Sequence, residues 1–347
     1  MKALTFHGPG KRVWGEVPDP VVVDPEDAVV RVDAVTICGT DLHILKGDVP
    51  EVAEGRILGH EAVGTVVATG PGVRTVAAGD RVLVSCISAC GRCSYCRTST
   101  YGQCTGGGGW ILGHLIDGTQ AEYVRTPFAD NSLHKLPQGV GDEQALLLAD
   151  ILPTAFEVGV RNGQVSPGDT VVVVGAGPIG LAAITTARLY SPGRIIAIDP
   201  AASRRDAAKS AGADVALSPE EATPEAVRAL SRDGLGADVA IEAVGVPESF
   251  ELCTGVVRPG GRLANVGVHG KSATLHLEDL WIRNLTITTG LVDTSTTALL
   301  LDMLAAGHLD VAALVTHRFG LEEMQEAYDV FGAAAQNAAL KVALFRS

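Results

Sequence analysis

Asp169-Thr-Val-Val-Val-Val-Gly-Ala-Gly-Pro-Ile-Gly180 decides the fold of this chain. The four consecutive valines at 171–174 read as a parallel strand buried on both faces, and the break into Gly175, Gly177 and Gly180 predicts a tight turn into a helix running to about Tyr190. Gly175 supplies the bend, Gly177 lets a pyrophosphate approach the backbone, and Gly180 allows close helix–strand contact. The free N–H groups and dipole at the start of that helix favour an anion. A glycine turn can also be purely structural, so the next strand matters. Arg194-Ile-Ile-Ala-Ile198 ends on Asp199, nineteen residues beyond Gly180, where a carboxylate can accept the hydroxyls of an adenosine ribose. Together these elements predict a dinucleotide site. The carboxylate repels a 2′-phosphate and favours NAD over NADP, unless Arg204 or Arg205 folds back to neutralise it.

At 347 residues the chain is long for a single core, and two domains are expected. A net charge of −13, with no run of Lys or Arg, argues against nucleic acid or an anionic membrane as partner. The N-terminus enters a strand-like segment without a signal peptide, and no apolar run reaches the ~18 residues that would span a bilayer. A cytoplasmic protein is the expectation. Five of the seven cysteines fall between Cys86 and Cys104, which in a reducing compartment points to metal before disulfides.

Residues 1 to about 150 read as short β-branched strands, among them 13–17, 28–37 and 64–67, separated by Pro, Gly and Asp, the texture of a small barrel. From about 153, strand candidates at 171–174, 194–198, 214–217, 238–241, 262–266 and 285–289 alternate with helical stretches. That is the pattern of a doubly wound parallel sheet, so the fold class is α/β. A Leu-rich helix at 297–306, a helix from 321 and a closing strand at 340–345 do not continue the alternation. They are expected to return to the first domain, giving one domain of 1–153 with 291–347 and an inserted nucleotide domain of 154–290, with a cleft between them.

Two constellations carry chemistry. Cys38-Gly-Thr-Asp-Leu-His43 could set a metal ligand, a proton donor and a proton shuttle on one turn, although Cys38 alone also reads as a small buried residue. Gly59-His60-Glu61 could supply a second ligand or a mere ion pair. A zinc site needs a third, and Asp150, flanked by the apolar 146–149 and 151–152, reads either as that ligand or as a helix N-cap ahead of Pro153. The other set is sharper: Cys90, Cys93, Cys96 and Cys104 put four thiolates within fifteen residues, a closed tetrahedral structural zinc site in a lobe at about 86–105. Arg92 and Arg97 could offset its charge. Cys86 and Cys253 lie outside the spacing and read as structural.

With these pieces assembled, the chain resembles the zinc-dependent medium-chain alcohol dehydrogenase family over essentially its whole length, nearest the bacterial secondary-alcohol dehydrogenases. The matching motifs are Cys38-Gly-Thr-Asp-Leu-His43, Gly59-His60-Glu61-Ala-Val-Gly64, Gly79-Asp-Arg-Val82, the four-cysteine lobe and Gly175-Ala-Gly-Pro-Ile-Gly180. The resemblance implies a Rossmann domain inserted in a mainly-β GroES-like catalytic domain, and two zinc ions per subunit with NAD. It assigns catalytic zinc to Cys38, His60 and Asp150, with Glu61 a ligand in some members and not in others. Thr40 and His43 would carry the alcohol proton. Gly175, Gly177, Pro178, Ile179, Gly180, Asp199, Arg204 and Val244 would contact the cofactor, Thr154, Val266 and Val268 the nicotinamide, and Lys341 would lie near the cofactor backbone. Trp110, Leu291 and Val292 fall where related enzymes line the substrate pocket; Trp110 also reads as core. The implied reaction interconverts a small, secondary alcohol with its carbonyl, zinc acting as Lewis acid. Rival readings are a polyol, formaldehyde or threonine dehydrogenase, and, from another class, a non-catalytic nucleotide-binding protein. A homotetramer is expected, with a dimer second.

Overall fold

The computed structural model describes residues 1–346. It has two compact units, Met1–Pro153 together with the chain from Val292 onward, and Thr154–Leu291.

The second unit is a six-stranded parallel sheet in the order Val215–Leu217, Arg194–Ile198, Thr170–Val174, Ala237–Glu242, Val257–Asn265, Thr286–Thr289. Numbered along the chain this is 3-2-1-4-5-6, so the order reverses beside Thr170–Val174, the place where doubly wound sheets bind ligands. The valines there lie between two neighbouring strands and are at most 4% exposed. Each contributes about 1.5–3 kcal/mol by burial. One strand differs from its sequence reading: Val257–Asn265 begins five residues before 262, because Val257 pairs with Ala237 while residues 258–261 bulge out before pairing resumes between Arg262 and Val239.

Three glycines of the turn have three different causes. Gly175 has φ +95°, a left-handed value that side chains resist. A Cβ on Gly180 would lie 1.8 Å from the carbonyl oxygen of Gly175, so only glycine lets helix Pro178–Ala187 start there. At Gly177, by contrast, a Cβ would meet nothing within 4 Å. The fold leaves that space open, as a pyrophosphate would require.

The first unit holds a seven-stranded sheet and a separate hairpin of Lys2–Phe6 with Arg12–Glu16. Strand Ala28–Thr36 is its hub. One edge carries Ala62–Thr69 along its whole length, and the other carries Tyr123–Thr126 on residues 28–31 and Lys341–Phe345 on residues 34–36. Arg81–Val84 and then Leu133–Lys135 extend the first edge, and Val315–Gly320 extends Lys341–Phe345. The expected small barrel is therefore a sheet whose ladder stays open at Leu133–Lys135 and Val315–Gly320. The returning segment adds helix Thr297–Ala305, and helix Met324–Gly332 packs Met324, Ala327, Tyr328 and Phe331 into the core.

The antiparallel register fixes what meets at one end of this sheet. Val35 faces Ala62 and Ala62 faces Val84, so Cys38, His60-Glu61 and Cys86 leave their strands on the same side. Thr36 faces Ala343, which brings Lys341 there too.

Gly180→Ala should force the glycine turn open and destabilise the second unit by about 3 kcal/mol. Thermal melting and fluorescence titration with NADH should give a lowered midpoint and at least about tenfold weaker binding; unchanged values would refute the steric account.

Candidate metal centres and cofactor cradle

Helix Gly39–Lys46 starts immediately after Cys38, and Asp41 caps it by accepting the Cys38 N–H at 2.9 Å. The same buried carboxylate faces His60 Nδ1 at 3.9 Å. The other face of the ring points into the cluster, with Nε2 3.4 Å from Asp150 Oδ2. Cys38 Sγ lies 3.5 Å from that oxygen. One ligand atom each from Cys38, His60, Glu61 and Asp150 falls within 4.8 Å of all the others. A thiol, an imidazole and carboxylates converging this closely match the donor set of an open zinc site. Burial pushes the Cys38 thiol up. Burial alone would lower His60, but Asp150 and Cys38 outweigh it and hold the ring well above the usual histidine range.

Glu61 is 0% exposed, and its Oε2 accepts from Lys341 Nζ at 2.5 Å and from Thr36 Oγ1 at 2.5 Å. Its Oε1 is buried without a hydrogen-bond partner, an orphaned oxygen on the side of the cluster. Lys341, expected near the cofactor backbone, is instead 1% exposed, with Nζ on Glu61, Thr36 and the carbonyl of Ile37. Burial would lower its pKa, but Glu61, then Cys38 and Asp150, raise it above the ordinary lysine value. Sequence reasoning misses this because Lys341 follows an Ala-Ala-Leu stretch that carries no sign of a buried acid 280 residues away.

Thr40 Oγ1 lies 3.7 Å from Cys38 Sγ, and His43 Nδ1, further along the helix, is 2.8 Å from Asp48. The Trp110 indole meets His60 edge-on at 6.4 Å and stacks on His114 at 4.2 Å, so it walls the cluster while also packing on the core. Val292 is buried, and Leu291 is 45% exposed in the second unit. Cys86, read as merely structural, has its thiol 3.7 Å from Asp150 Oδ1. The signal was topological: strand Arg81–Val84 delivers it beside His60.

The four-cysteine lobe is local. Cys90, Cys93, Cys96 and Cys104 offer sulfurs all within 4.8 Å of one another. The Cys96 N–H donates to Cys93 Sγ and the Cys90 N–H to Cys104 Sγ, bonds that favour thiolates. Such N–H donation holds Cys93 down to about 5, while burial pushes Cys96 up to about 12. A Cβ on Gly106 would lie 2.5 Å from Cys90 Sγ, so glycine there is what lets the loop wrap the sulfurs. Arg92 turns to Glu26 at 2.6 Å and is 64% exposed, so much of its charge is answered there.

In the second unit Asp199 closes strand Arg194–Ile198. Its Oδ2 accepts the Ala176 N–H at 2.9 Å and its Oδ1 the Ala201 N–H at 2.8 Å, tying the acid to the glycine turn. Arg204 Nη1 stands 4.0 Å from Oδ2, and Arg205 binds the carbonyls of Asp199 and Pro200. Pro178 and Ile179 open the helix, half-buried, and Thr154 ends helix Ile151–Thr154. Val266 is half-buried, whereas Val244 and Val268 are 49% and 70% exposed apolar residues on loops in close approach, where a Cβ on Gly245 would lie 2.3 Å from the carbonyl of Val268. Glu242 organises these loops: wholly buried, it accepts from the Val244 and Gly245 N–H groups and from Ser249 Oγ at 2.9, 2.8 and 2.6 Å. The sequence offered only an acid closing an apolar strand.

A zinc-type donor set on one unit, a thiolate lobe beside it in sequence, and a dinucleotide cradle on a doubly wound unit define a zinc-dependent oxidoreductase. Two family models match: an alcohol dehydrogenase GroES-like domain over residues 24–138 and a zinc-binding dehydrogenase domain over 178–306. The chain is 38% identical to an alcohol dehydrogenase of Cupriavidus necator, covering 99% of this chain and 98% of that protein. It is 34% identical to an NADP-dependent isopropanol dehydrogenase of Thermoanaerobacter brockii, over 94% of this chain and 95% of that one. Its fold superposes with a TM-score of 0.95 on the zinc-dependent alcohol dehydrogenase 2 from Streptococcus pneumonia in the apo form, at 46% identity, covering 100% of this chain and 99% of that chain. The chain belongs to the zinc-dependent medium-chain alcohol dehydrogenase family and is an oxidoreductase.

Cys93→Ala should remove one zinc per chain and lower the unfolding temperature, because a structural tetrathiolate contributes folding energy. Metal analysis by plasma emission with parallel melting checks this; full zinc content and an unchanged midpoint would contradict it.

Proposed function

We propose that this enzyme interconverts small secondary alcohols and ketones with NAD as hydride carrier, at a site formed by Cys38, His60 and Asp150. The observation that carries the reading is the convergence of these three side chains around Asp150 Oδ2, with the Trp110 indole against His60. Zinc held there supplies Lewis acidity toward an alcohol or carbonyl oxygen, and the nicotinamide supplies the hydride chemistry.

The chain's own residues do the rest. Asp41 Oδ1, 3.9 Å behind His60 Nδ1, favours the ring orientation that turns Nε2 toward the cluster. The pair of Lys341 and Glu61 neutralises one carboxylate, so that Cys38 and Asp150 provide two negative charges against a divalent cation. Thr40 Oγ1, beside Cys38, would accept a hydrogen bond from the substrate hydroxyl while giving up its own proton, and His43, oriented by Asp48, would take a proton toward solvent. The apolar Trp110 favours a short alkyl substituent over a polyol chain. The relative named as an isopropanol dehydrogenase supports the secondary-alcohol reading.

For the dinucleotide, the buried Asp199 carboxylate favours ribose hydroxyls over a 2′-phosphate, and Arg204 at 4.0 Å is too distant to cancel it fully. A second copy of the chain would pair along edge strand Thr286–Thr289, where the flanking Trp281 and Ile282 are 72% and 68% exposed, toward a homotetramer. Among the described residues no helix is long and apolar enough to cross a membrane, and we assign the enzyme to the cytoplasm.

Initial rates with secondary alcohols, primary alcohols, polyols and threonine, each with NAD and NADP, should be highest for a short secondary alcohol with NAD. Threonine or polyol preference would overturn the substrate reading, and NADP preference the Asp199 argument. Cys38→Ala and Asp150→Ala should each lower kcat/KM by about a thousandfold or more with the fold retained, since several kcal/mol of Lewis-acid stabilisation is lost; near-full activity of either variant would remove the site.

A further inference from the structure

Asp150 presents two oxygens to two different thiols. Oδ2 faces Cys38 Sγ and His60 Nε2 at 3.5 and 3.4 Å, whereas Oδ1 lies 3.7 Å from Cys86 Sγ. The Cys86 backbone N–H also donates to the carbonyl of Ala149 at 3.1 Å. One residue on the end of strand Arg81–Val84 therefore grips the Asp150 loop twice, once through the main chain and once through the side chain. Cys86 is 3% exposed, and the loop around Asp150 is apolar, with residues 146–149 at 0% and Ile151 at 2%. A carboxylate oxygen turned away from the cation in such surroundings costs free energy unless a donor reaches it.

We propose that Cys86 is a positioning residue for the catalytic metal: its S–H donates to Asp150 Oδ1 and fixes the carboxylate so that Oδ2 faces the ligand cluster. Its sulfur is not among the ligand atoms that lie within 4.8 Å of one another, so it acts on the metal through Asp150 rather than by binding. The backbone bond orders Ala149, and the thiol adds a contact to the carboxylate itself. Partners of this kind, hydrogen-bonded to a ligating carboxylate, tune metal affinity about 10–100-fold. The inference rests on the catalytic-zinc reading above.

The test measures zinc affinity by chelator competition on the full-length enzyme, with Cys38→Ala identifying which of the two zinc populations is catalytic. Cys86→Ala and the volume-filling Cys86→Val should weaken the catalytic zinc about 10–100-fold and leave the other unchanged, while Cys86→Ser, which keeps a donor, should stay within about threefold of wild type. Two variants that differ in volume separate loss of the donor from loss of packing. Wild-type affinity in both would overturn the positioning role and leave the zinc site standing. A wild-type enzyme with no zinc population sensitive to Cys38→Ala would overturn the catalytic-zinc reading and this inference with it. In cobalt-loaded enzyme, loss of a thiolate-to-metal charge-transfer band in Cys86→Ser would overturn it differently, by making Cys86 a ligand.

Discussion

The structure turns on a buried cluster of ionisable side chains, each of which needs a partner. Cys38, Glu61 and Asp150 meet at one end of the first unit's sheet with His60 among them, and Asp41 lies just behind. Removing several ionisable groups from water together is unfavourable unless each finds a partner. Glu61 finds Lys341 and Thr36. Asp41 finds the helix start at Cys38 and the Gln120 amide, which Tyr328 holds in turn. Cys38 and Asp150 are left facing the same space, where a divalent ion could answer both at once. The antiparallel register makes this possible, because the ends of three adjacent strands must emerge together.

The second unit solves a different problem with less charge. Its sheet is largely apolar, and the polar groups that frame its glycine turn lie at strand ends, at Asp199 and Glu242. Asp199 holds the turn with the same two oxygens that, in the proposed reading, would meet the ribose. A substitution there would disturb the turn through the lost bond to Ala176, so a replacement meant to change dinucleotide choice must also restore that bond.

How much of this could be read beforehand follows from chain distance. The four-cysteine lobe and the glycine turn lie within fifteen and six residues, and spacing alone carries them. The parallel strands were legible because continuous valine and isoleucine runs are specific to doubly buried sheets. The candidate catalytic set spans 112 residues between Cys38 and Asp150, too far for spacing, and its reading needed the family resemblance. Cys86, Lys341 and Glu242 escaped because their meaning lies in strand register and burial. A lysine before a closing strand looks like surface until Thr36 is seen to face Ala343. The strand start at Val257 was missed because Pro259-Gly260-Gly261 lie in an unpaired bulge between the paired Val257 and Arg262.

The most direct test is the zinc X-ray absorption spectrum of the purified enzyme, read together with its metal content. Four sulfurs at one site and one at the other average about 2.5 sulfurs per zinc, the remainder being nitrogen and oxygen, with two zinc ions per chain. A spectrum of four sulfurs and no lighter ligand, with one zinc per chain, would mean that Cys38, His60 and Asp150 hold no metal and would contradict the account.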